Sequence, residues 1–437
     1  MPNKSPPLNN VLRLGIAGLG TVGSEVARII ETQAGELTKR AGRDVKITAV
    51  SARDKNKKRS CTLNGAVWVA SPVELAARND VDVVIELIGG SEGAARDLAV
   101  AALKAGKPFI TANKALLAHH GVELAQLSET HHAPLYFEAA VAGGIPVIKT
   151  LRESLAGNII KEIYGILNGT CNYILTTMRE TGKAFATVLA DAQKLGYAEA
   201  DPTFDIDGMD TAHKLAVLSS IAFSSPVNLS SMQVSGIRNI SLADIGFADE
   251  LGYRIKLLGV SRLTDKGLMQ RVSPYMVPLS AQLAHVEDAL NAVFIEGSEV
   301  GPLTLIGRGA GAGPTASSVL GDIIDVANGG APPAFSVSVA NLKPIKALPE
   351  SDSMGAFYVR LMVADEPGVL ADMAAILRDA RISIQSLLQK GRNEAGPVPV
   401  VFITHDSNEN AMAQALAKLS KMPSVLEAPC VIRILPH

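Results

Sequence analysis

The hexapeptide Gly18-Leu19-Gly20-Thr21-Val22-Gly23 lies between an apolar run, Val11 to Ala17, and a segment in which Val26, Ile29 and Ile30 recur at helical spacing. Few folds accept a G-x-G-x-x-G turn between a strand and a helix. The first glycine allows the tight turn, the second lets a pyrophosphate approach the backbone, and the third lets the helix pack on the strand. The helix that follows aims unpaired N–H groups and the positive end of its dipole at the phosphates. Gly18, Gly20, Thr21, Val22 and Gly23 are therefore expected to cradle a dinucleotide. A plain glycine-rich turn is the bland alternative, and the strands that follow argue against it.

Those strands are Asp44 to Asp54, 80–90, 107–114 and 133–144, with Ala-rich helical patterns over 91–105 and 115–130. Alternation of this kind predicts a doubly wound parallel sheet of Rossmann type. From about residue 145 the elements lengthen and strand signals thin out, which predicts a second, α+β domain. The Gly-rich turn and helix over 307–327 look like a return to the first domain. After a Pro- and Ser-containing linker, residues 356–437 read strand, helix, strand, strand, helix, strand, the ferredoxin-like βαββαβ order.

The end of the second strand bears on which dinucleotide is bound. A cofactor without a 2′-phosphate usually meets Asp or Glu there. Here the strand ends Ser51-Ala52-Arg53, with Lys55, Lys57, Lys58 and Arg59 behind it, and Asp54 falls one residue late. Arg53, assisted by Lys57, suits a 2′-phosphate, so NADP is expected and NAD is possible. A solvated basic loop is the competing reading.

Residues 195–223, LGYAEADPTFDIDGMDTAHKLAVLSSIAF, place Glu199, Asp201, Asp205, Asp207 and Asp210 within twelve residues and then Lys214 in an apolar run. Pro202 and Gly208 predict a loop over 196–208, with a helix starting near Asp207 or Gly208. Asp210 and Lys214, four apart, share a face of that helix. One reading is a surface salt bridge with a capping loop. The other is an acidic socket for a cationic group such as an α-ammonium, beside a lysine that exchanges a proton.

The net charge of −2 provides no broad positive field, which argues against nucleic acid as a partner. No run of 18 apolar residues occurs and no signal-like core precedes the first strand, so a cytoplasmic protein without a membrane segment is expected. Cys61, Cys171 and Cys430 are scattered and read as reduced thiols. Cys171 has no evident histidine partner, and the pairs His119-His120 and His131-His132 read as surface residues rather than ligands.

The stretch GYAEADPTFDIDGMDTAHK, with TANKALLA, YFEAAVAGGIPVI and GILNGTCNYIL, closely resembles homoserine dehydrogenase, in the right order from about residue 11 to 345. The C-terminal segment, with ADEPGVLADMAAIL, resembles an ACT domain. The resemblance implies a dinucleotide-binding domain over 11–140, completed by about 312–345, and a substrate-binding and dimerisation domain over 141–311. A linker over 346–355, an ACT regulatory domain over 356–437 and a disordered arm over 1–10 complete the expected organisation. It also implies a monofunctional enzyme, with no kinase segment ahead of it, assembled as a homodimer or homotetramer.

By position, the resemblance makes Lys214 the catalytic lysine and Lys114 a second lysine near substrate and nicotinamide. Glu199 and Asp210 become substrate-binding carboxylates. Glu138, Val141, Gly143 and Ile145 match a monovalent-cation site, expected to hold sodium. Gly196 and Gly311 match positions that line the cofactor and substrate cleft, and Asn168, Gly169 and Thr170 match a loop of the family's motif. Gly368, in the turn before a helix of the ACT segment, is expected to meet an effector, with threonine implied by the pathway to threonine and methionine. Two other functions fit the same features: a different amino-acid dehydrogenase, or a catalytically silent amino-acid sensor. The intact Lys114, Asp210 and Lys214 argue against the silent one.

Overall fold

A computed structural model describes residues 10–389 and 397–436. The expected arm over 1–10 lies outside these described residues, apart from Asn10. The described residues divide into two compact units, one drawn from 1–163, 212–231 and 291–345 and the other from 164–211, 232–290 and 346–437.

In the first unit, strands β1 (Val11–Ala17), β2 (Asp44–Ser51), β3 (Val67–Trp68), β4 (Val83–Glu86), β5 (Phe109–Thr111) and β6 (Leu135–Tyr136) form a sheet in the order β3-β2-β1-β4-β5-β6. Every pairing is parallel. This is the doubly wound order expected from the sequence. The inner strands are covered on both faces, which is why they read as continuous apolar runs rather than alternating ones. Leu14, Ile16, Val50 and Ile85 share a core with Val26 and Ile30 of helix α1 (Thr21–Thr32). Val319 and Ile323 of the late helix Ala312–Ala327 enter the same core. Helices α2 (Ala94–Lys104) and α3 (Lys114–Thr130) follow β4 and β5.

The second unit contains α4 (Gly169–Thr181), the single turn α5 (Thr203–Ile206) and the start of α6 (Met209–Phe223). Short strand β7 (Gln233–Val234), helix α7 (Leu242–Glu250) and the long hairpin β8 (Tyr253–Thr264) and β9 (Gly267–Pro278) come next. Its C-terminal module is β10 (Phe357–Val363), α8 (Val369–Asp379), β11 (Ile384–Gln389), β12 (Val398–Thr404), α9 (Glu409–Leu419) and β13 (Cys430–Ile434). These are the six elements expected over 356–437, in the order βαββαβ. Alternate residues of β10, from Phe357 to Val363, pack on Met373 and Leu377 of α8 and on Met412, Ala415 and Leu419 of α9. That alternation is the period-two signature of a strand with one face on a core.

The module is not held by a linker alone. β13 pairs in parallel with β9, Tyr275 opposite Arg433, so the module's four-stranded sheet continues the hairpin's. On the other face of β10, Asp244 of α7 accepts from Arg360 Nε at 2.7 Å and from the Tyr358 hydroxyl at 3.0 Å. The segment expected as a linker is itself tied down. Leu268 N–H donates to the Lys346 carbonyl, and Leu348 N–H donates to the Leu268 carbonyl.

Candidate active site

The glycine turn has the geometry its spacing implies. Gly18 sits at φ +95°, and a Cβ there would lie 2.4 Å from the Leu87 carbonyl oxygen. At Gly23 a Cβ would come within 2.0 Å of the Gly18 carbonyl oxygen, so helix and turn touch backbone to backbone. Gly20, between them, has nothing within 4 Å of where a Cβ would stand. Gly20 and Thr21 are exposed, Val22 is half-buried, and α1 begins at Gly20 without a side-chain cap. An open helix N-terminus beside a glycine with empty space could hold a phosphate.

Beyond β2, Arg53 and Lys57 are exposed, as are Asp54, Lys55 and Lys58. Asp54 Oδ1 accepts from the Asn56 N–H at 2.8 Å, so this carboxylate turns into its own loop. Arg59, not singled out in the sequence, shapes the loop. Its guanidinium donates to the carbonyls of Asp54, Lys55 (3.2 Å) and Lys57 (2.7 Å), and to that of Leu19 in the glycine turn at 3.3 Å. It also lies 5.1 Å from the centre of the Trp68 ring. The basic loop is thereby fastened to the cofactor turn, with Arg53 and Lys57 left facing solvent.

Lys114 opens α3, half-buried, directly after the N-cap Asn113. Asn113 Oδ1 accepts from Leu116 N–H at 3.0 Å and its amide donates to the Gly90 carbonyl at 2.6 Å. Glu86, the last residue of β4 and fully buried, accepts from the N–H groups of Ile88 and Gly89 and from the Thr111 hydroxyl at 2.6 Å. Glu86 thus joins the ends of two neighbouring strands and holds the segment leading to Lys114. Sequence reasoning missed it because it read as one more residue of an apolar strand.

The expected cation segment is a tight reversal. Ala142 and Gly143 both have left-handed φ, +55° and +49°, and the Gly143 carbonyl accepts from the Ser318 hydroxyl at 2.6 Å. Glu138 begins a 3₁₀ turn, and its carboxylate accepts the N–H groups of Ile148 (2.9 Å) and Lys149 (2.8 Å). Its own N–H donates to Asp322 Oδ2 at 3.0 Å. Burial pushes the Glu138 carboxyl up to about 7, and burial together with Glu138 pushes that of Asp322 well above its usual range. Asp322 Oδ1 is buried without a hydrogen-bond partner among the described residues. Two buried acids with an unsatisfied oxygen suit a cation held by the carbonyls of Glu138, Val141, Gly143 and Ile145.

In the second unit the acidic stretch is more structured than the expected loop. Thr203–Ile206 forms the turn α5, and α6 starts at Met209 after Gly208, whose φ is +89°. Asp207 does not cap α6 and is instead salt-bridged to Arg238. Asp210 is buried, and Asn168, the N-cap of α4, donates one amide hydrogen to its Oδ2 and the other to Asp205 Oδ1, both at 2.8 Å. Glu199 and Gly196 are exposed, Gly196 at φ +79°. Lys214 lies one turn after Asp210 on α6 and is half-buried between buried neighbours, so burial alone does not strip it of water. Cys171 is buried and donates its thiol to the Asp205 carbonyl at 3.3 Å, a structural contact rather than a nucleophile's setting.

Gly311 is the N-cap of the helix Ala312–Ala327 at φ +108°, and Gly368 is the N-cap of α8 at φ +98°. Both are exposed. Among the described residues no cluster of three or more His, Cys, Asp or Glu side chains could hold a metal, and no helix is long and apolar enough to cross a membrane.

Comparison with known proteins matches residues 18–138 to the family described as "Homoserine dehydrogenase, NAD binding domain" and 146–324 to "Homoserine dehydrogenase". Residues 357–422 match "ACT domain". A homoserine dehydrogenase of Neisseria gonorrhoeae is 44% identical over 429 residues, covering 97% of this chain and 98% of the relative. The crystal structure of a homoserine dehydrogenase from Thiobacillus denitrificans superimposes with a TM-score of 0.91 at 40% identity, over 97% of this chain and 98% of that one. A hyperthermophilic archaeal homoserine dehydrogenase in complex with NADPH has a TM-score of 0.63 at 28% identity, over 73% of this chain and 98% of its own.

Proposed function

The chain belongs to the homoserine dehydrogenases, oxidoreductases that act on a CH–OH group, and from that premise we propose how its residues divide the work. It interconverts L-homoserine and L-aspartate 4-semialdehyde with NADP, in the cytoplasm, on the route to threonine and methionine. Bound nicotinamide supplies or accepts the hydride at substrate C4. Lys214 gives the proton to the oxygen when the aldehyde is reduced and takes it back in the reverse direction. Asp210, with Glu199, binds the α-ammonium and keeps the aldehyde in register for attack. Lys114 adds a second ammonium near the substrate and the nicotinamide.

The observation that carries this reading is that one helix, α6, presents a buried Asp210 in its first turn and Lys214 one turn later. The preference for NADP is supported by exposed Arg53 and Lys57 where an acidic residue would serve NAD, and by an Asp54 committed to its own loop. NADPH in the hyperthermophilic archaeal relative agrees with it. The carbonyls of Glu138, Val141, Gly143 and Ile145 would hold a monovalent cation, sodium in the expected case, which would supply positive charge beside the buried acids Glu138 and Asp322. The working assembly is a homodimer or homotetramer. The C-terminal module makes the enzyme responsive to threonine, which meets the backbone at Gly368.

Lys214→Ala tests the chemistry. Turnover should fall by on the order of 10²–10⁴ while cofactor affinity stays put. Near-normal turnover would reduce Lys214 to a partner of Asp210. Threonine inhibition of the full chain, measured beside Gly368→Val, tests the module. Equal inhibition of both would move the effector elsewhere.

A further inference from the structure

We propose that Asn168 is a positioning residue of the substrate socket, bridging Asp205 and Asp210 so that the carboxylate binding the substrate's ammonium is held in one orientation. The proposal rests on the reading of Asp210 given above. Asn168 is 4% exposed and caps α4, its Oδ1 accepting the Cys171 N–H at 2.8 Å. That contact assigns the amide. Turned over, it would set nitrogen against an N–H and oxygen against two carboxylates. Nδ2 therefore faces Asp205 Oδ1 and Asp210 Oδ2, each at 2.8 Å, and its two hydrogens are divided between them.

Two carboxylates within reach of one nitrogen repel each other, and a neutral donor offsets the repulsion without cancelling either charge. A lysine at this position would neutralise the socket. An amide donates to both carboxylates and adds no charge of its own. The rest of the first turns of α4 supports the same purpose. The Thr170 hydroxyl donates to the Tyr197 carbonyl at 2.7 Å, and the rings of Tyr173 and Tyr197 stack with centres 4.6 Å apart. With the Cys171 thiol on the Asp205 carbonyl, the side chains of Asn168, Thr170, Cys171 and Tyr173 strap the segment 197–205. Asn172 faces the opposite way and anchors the helix, donating to the carbonyls of Val286 (2.9 Å) and Leu290 (3.2 Å) and accepting from Lys256 at 3.1 Å.

Asn168→Ser keeps an N-cap acceptor but removes both N–H donors. Asn168→Asp keeps the cap and adds a third carboxylate. Losing a hydrogen bond to a charged group amounts to roughly a 10- to 100-fold change. KM for homoserine should rise by about that factor in Asn168→Ser and further in Asn168→Asp. KM for NADP should hold. Asn168→Ser combined with Asp205→Asn should recover at least part of the lost KM, because one of the two repelling charges is gone. A normal KM in Asn168→Ser, equal losses for substrate and cofactor, or no recovery in the double variant would overturn the proposal and leave a helix cap only. Asp210→Asn serves as the control: if it leaves KM for homoserine unchanged, the reading of Asp210 itself fails, whatever Asn168 does.

Discussion

Arg271 of β9 and Glu409 of α9 form a buried, two-pronged ion pair, with nitrogen–oxygen distances of 2.5 and 2.7 Å. Arg433 of β13 adds a second guanidinium to the same carboxylate, at 2.9 and 3.0 Å. The three groups lie beside a cleft of about 940 Å³ that runs from the hairpin tip, Thr264 to Lys266, to His405 and Asp406 of the C-terminal module. The module's helix α9 is thus bolted to the hairpin by charge as well as by strand pairing.

Glu409→Gln should therefore behave as a core lesion and not as a surface change. Two guanidiniums would keep their charge with no anion between them, a loss of about 3–5 kcal/mol for a buried pair broken from one side. Urea denaturation of the full chain measures it, and a change within about 0.5 kcal/mol would mean the pair is solvated in solution. For the same reason, deletion of 350–437 bares the β9 edge and strands Arg271 and Asp244. The truncated chain should aggregate rather than report cleanly on regulation.

The two glycines of the cofactor turn should separate binding from folding. Gly20→Ala meets open space, so its melting temperature should stay near that of the parent while NADP affinity drops by roughly tenfold, because the methyl group occupies phosphate space. Gly23→Ala drives a carbon into the Gly18 carbonyl and should cost about 1–3 kcal/mol of stability. Calorimetry and a cofactor titration on both variants would decide; equal melting temperatures would contradict the close helix–turn packing.

Arg53→Ala addresses cofactor choice. With one charge-assisted phosphate contact removed, KM for NADP should rise roughly 10- to 100-fold and KM for NAD much less. Parallel changes in both constants would assign Arg53 to adenine stacking or to solvent.

Lys256 predicts a pH effect. Burial pulls its ammonium down to about 8, with Glu287 pulling the other way. Below pH 8 both folded and unfolded chains carry the proton, and well above 10.5 neither does. Between these limits the unfolded chain keeps a proton that the folded protein has released, so stability should rise with pH across the window. Relative to Lys256→Met, the parent should gain on the order of 3 kcal/mol between pH 8 and 10.5. A flat difference across that range would mean the ammonium keeps its proton in the fold. Denaturation curves at four or five pH values suffice.

Local chemistry determined much of this protein before any folding was considered. The tight turn at Gly18, Gly20 and Gly23 follows from sterics within six residues, and the central strands of the parallel sheet and those of the C-terminal module follow from apolar runs and alternation over a few more, whereas the long hairpin Tyr253–Thr264 and Gly267–Pro278 fell where strand signals thinned out. The helix that carries Asp210 and Lys214 was legible too, since the two need only a 3.6-residue period to share a face. Tertiary structure decided which polar groups meet. Asn168 reaches Asp205 and Asp210 across 37 and 42 residues of chain, and Arg271 reaches Glu409 across 138. Arg59, not Arg53, fastens the basic loop to the glycine turn, and Asp207 turns to Arg238 instead of capping its helix. Backbone sterics and side-chain periodicity are properties of neighbours in sequence. A hydrogen bond between distant residues depends on where the whole chain brings them, and a local pattern carries no record of that.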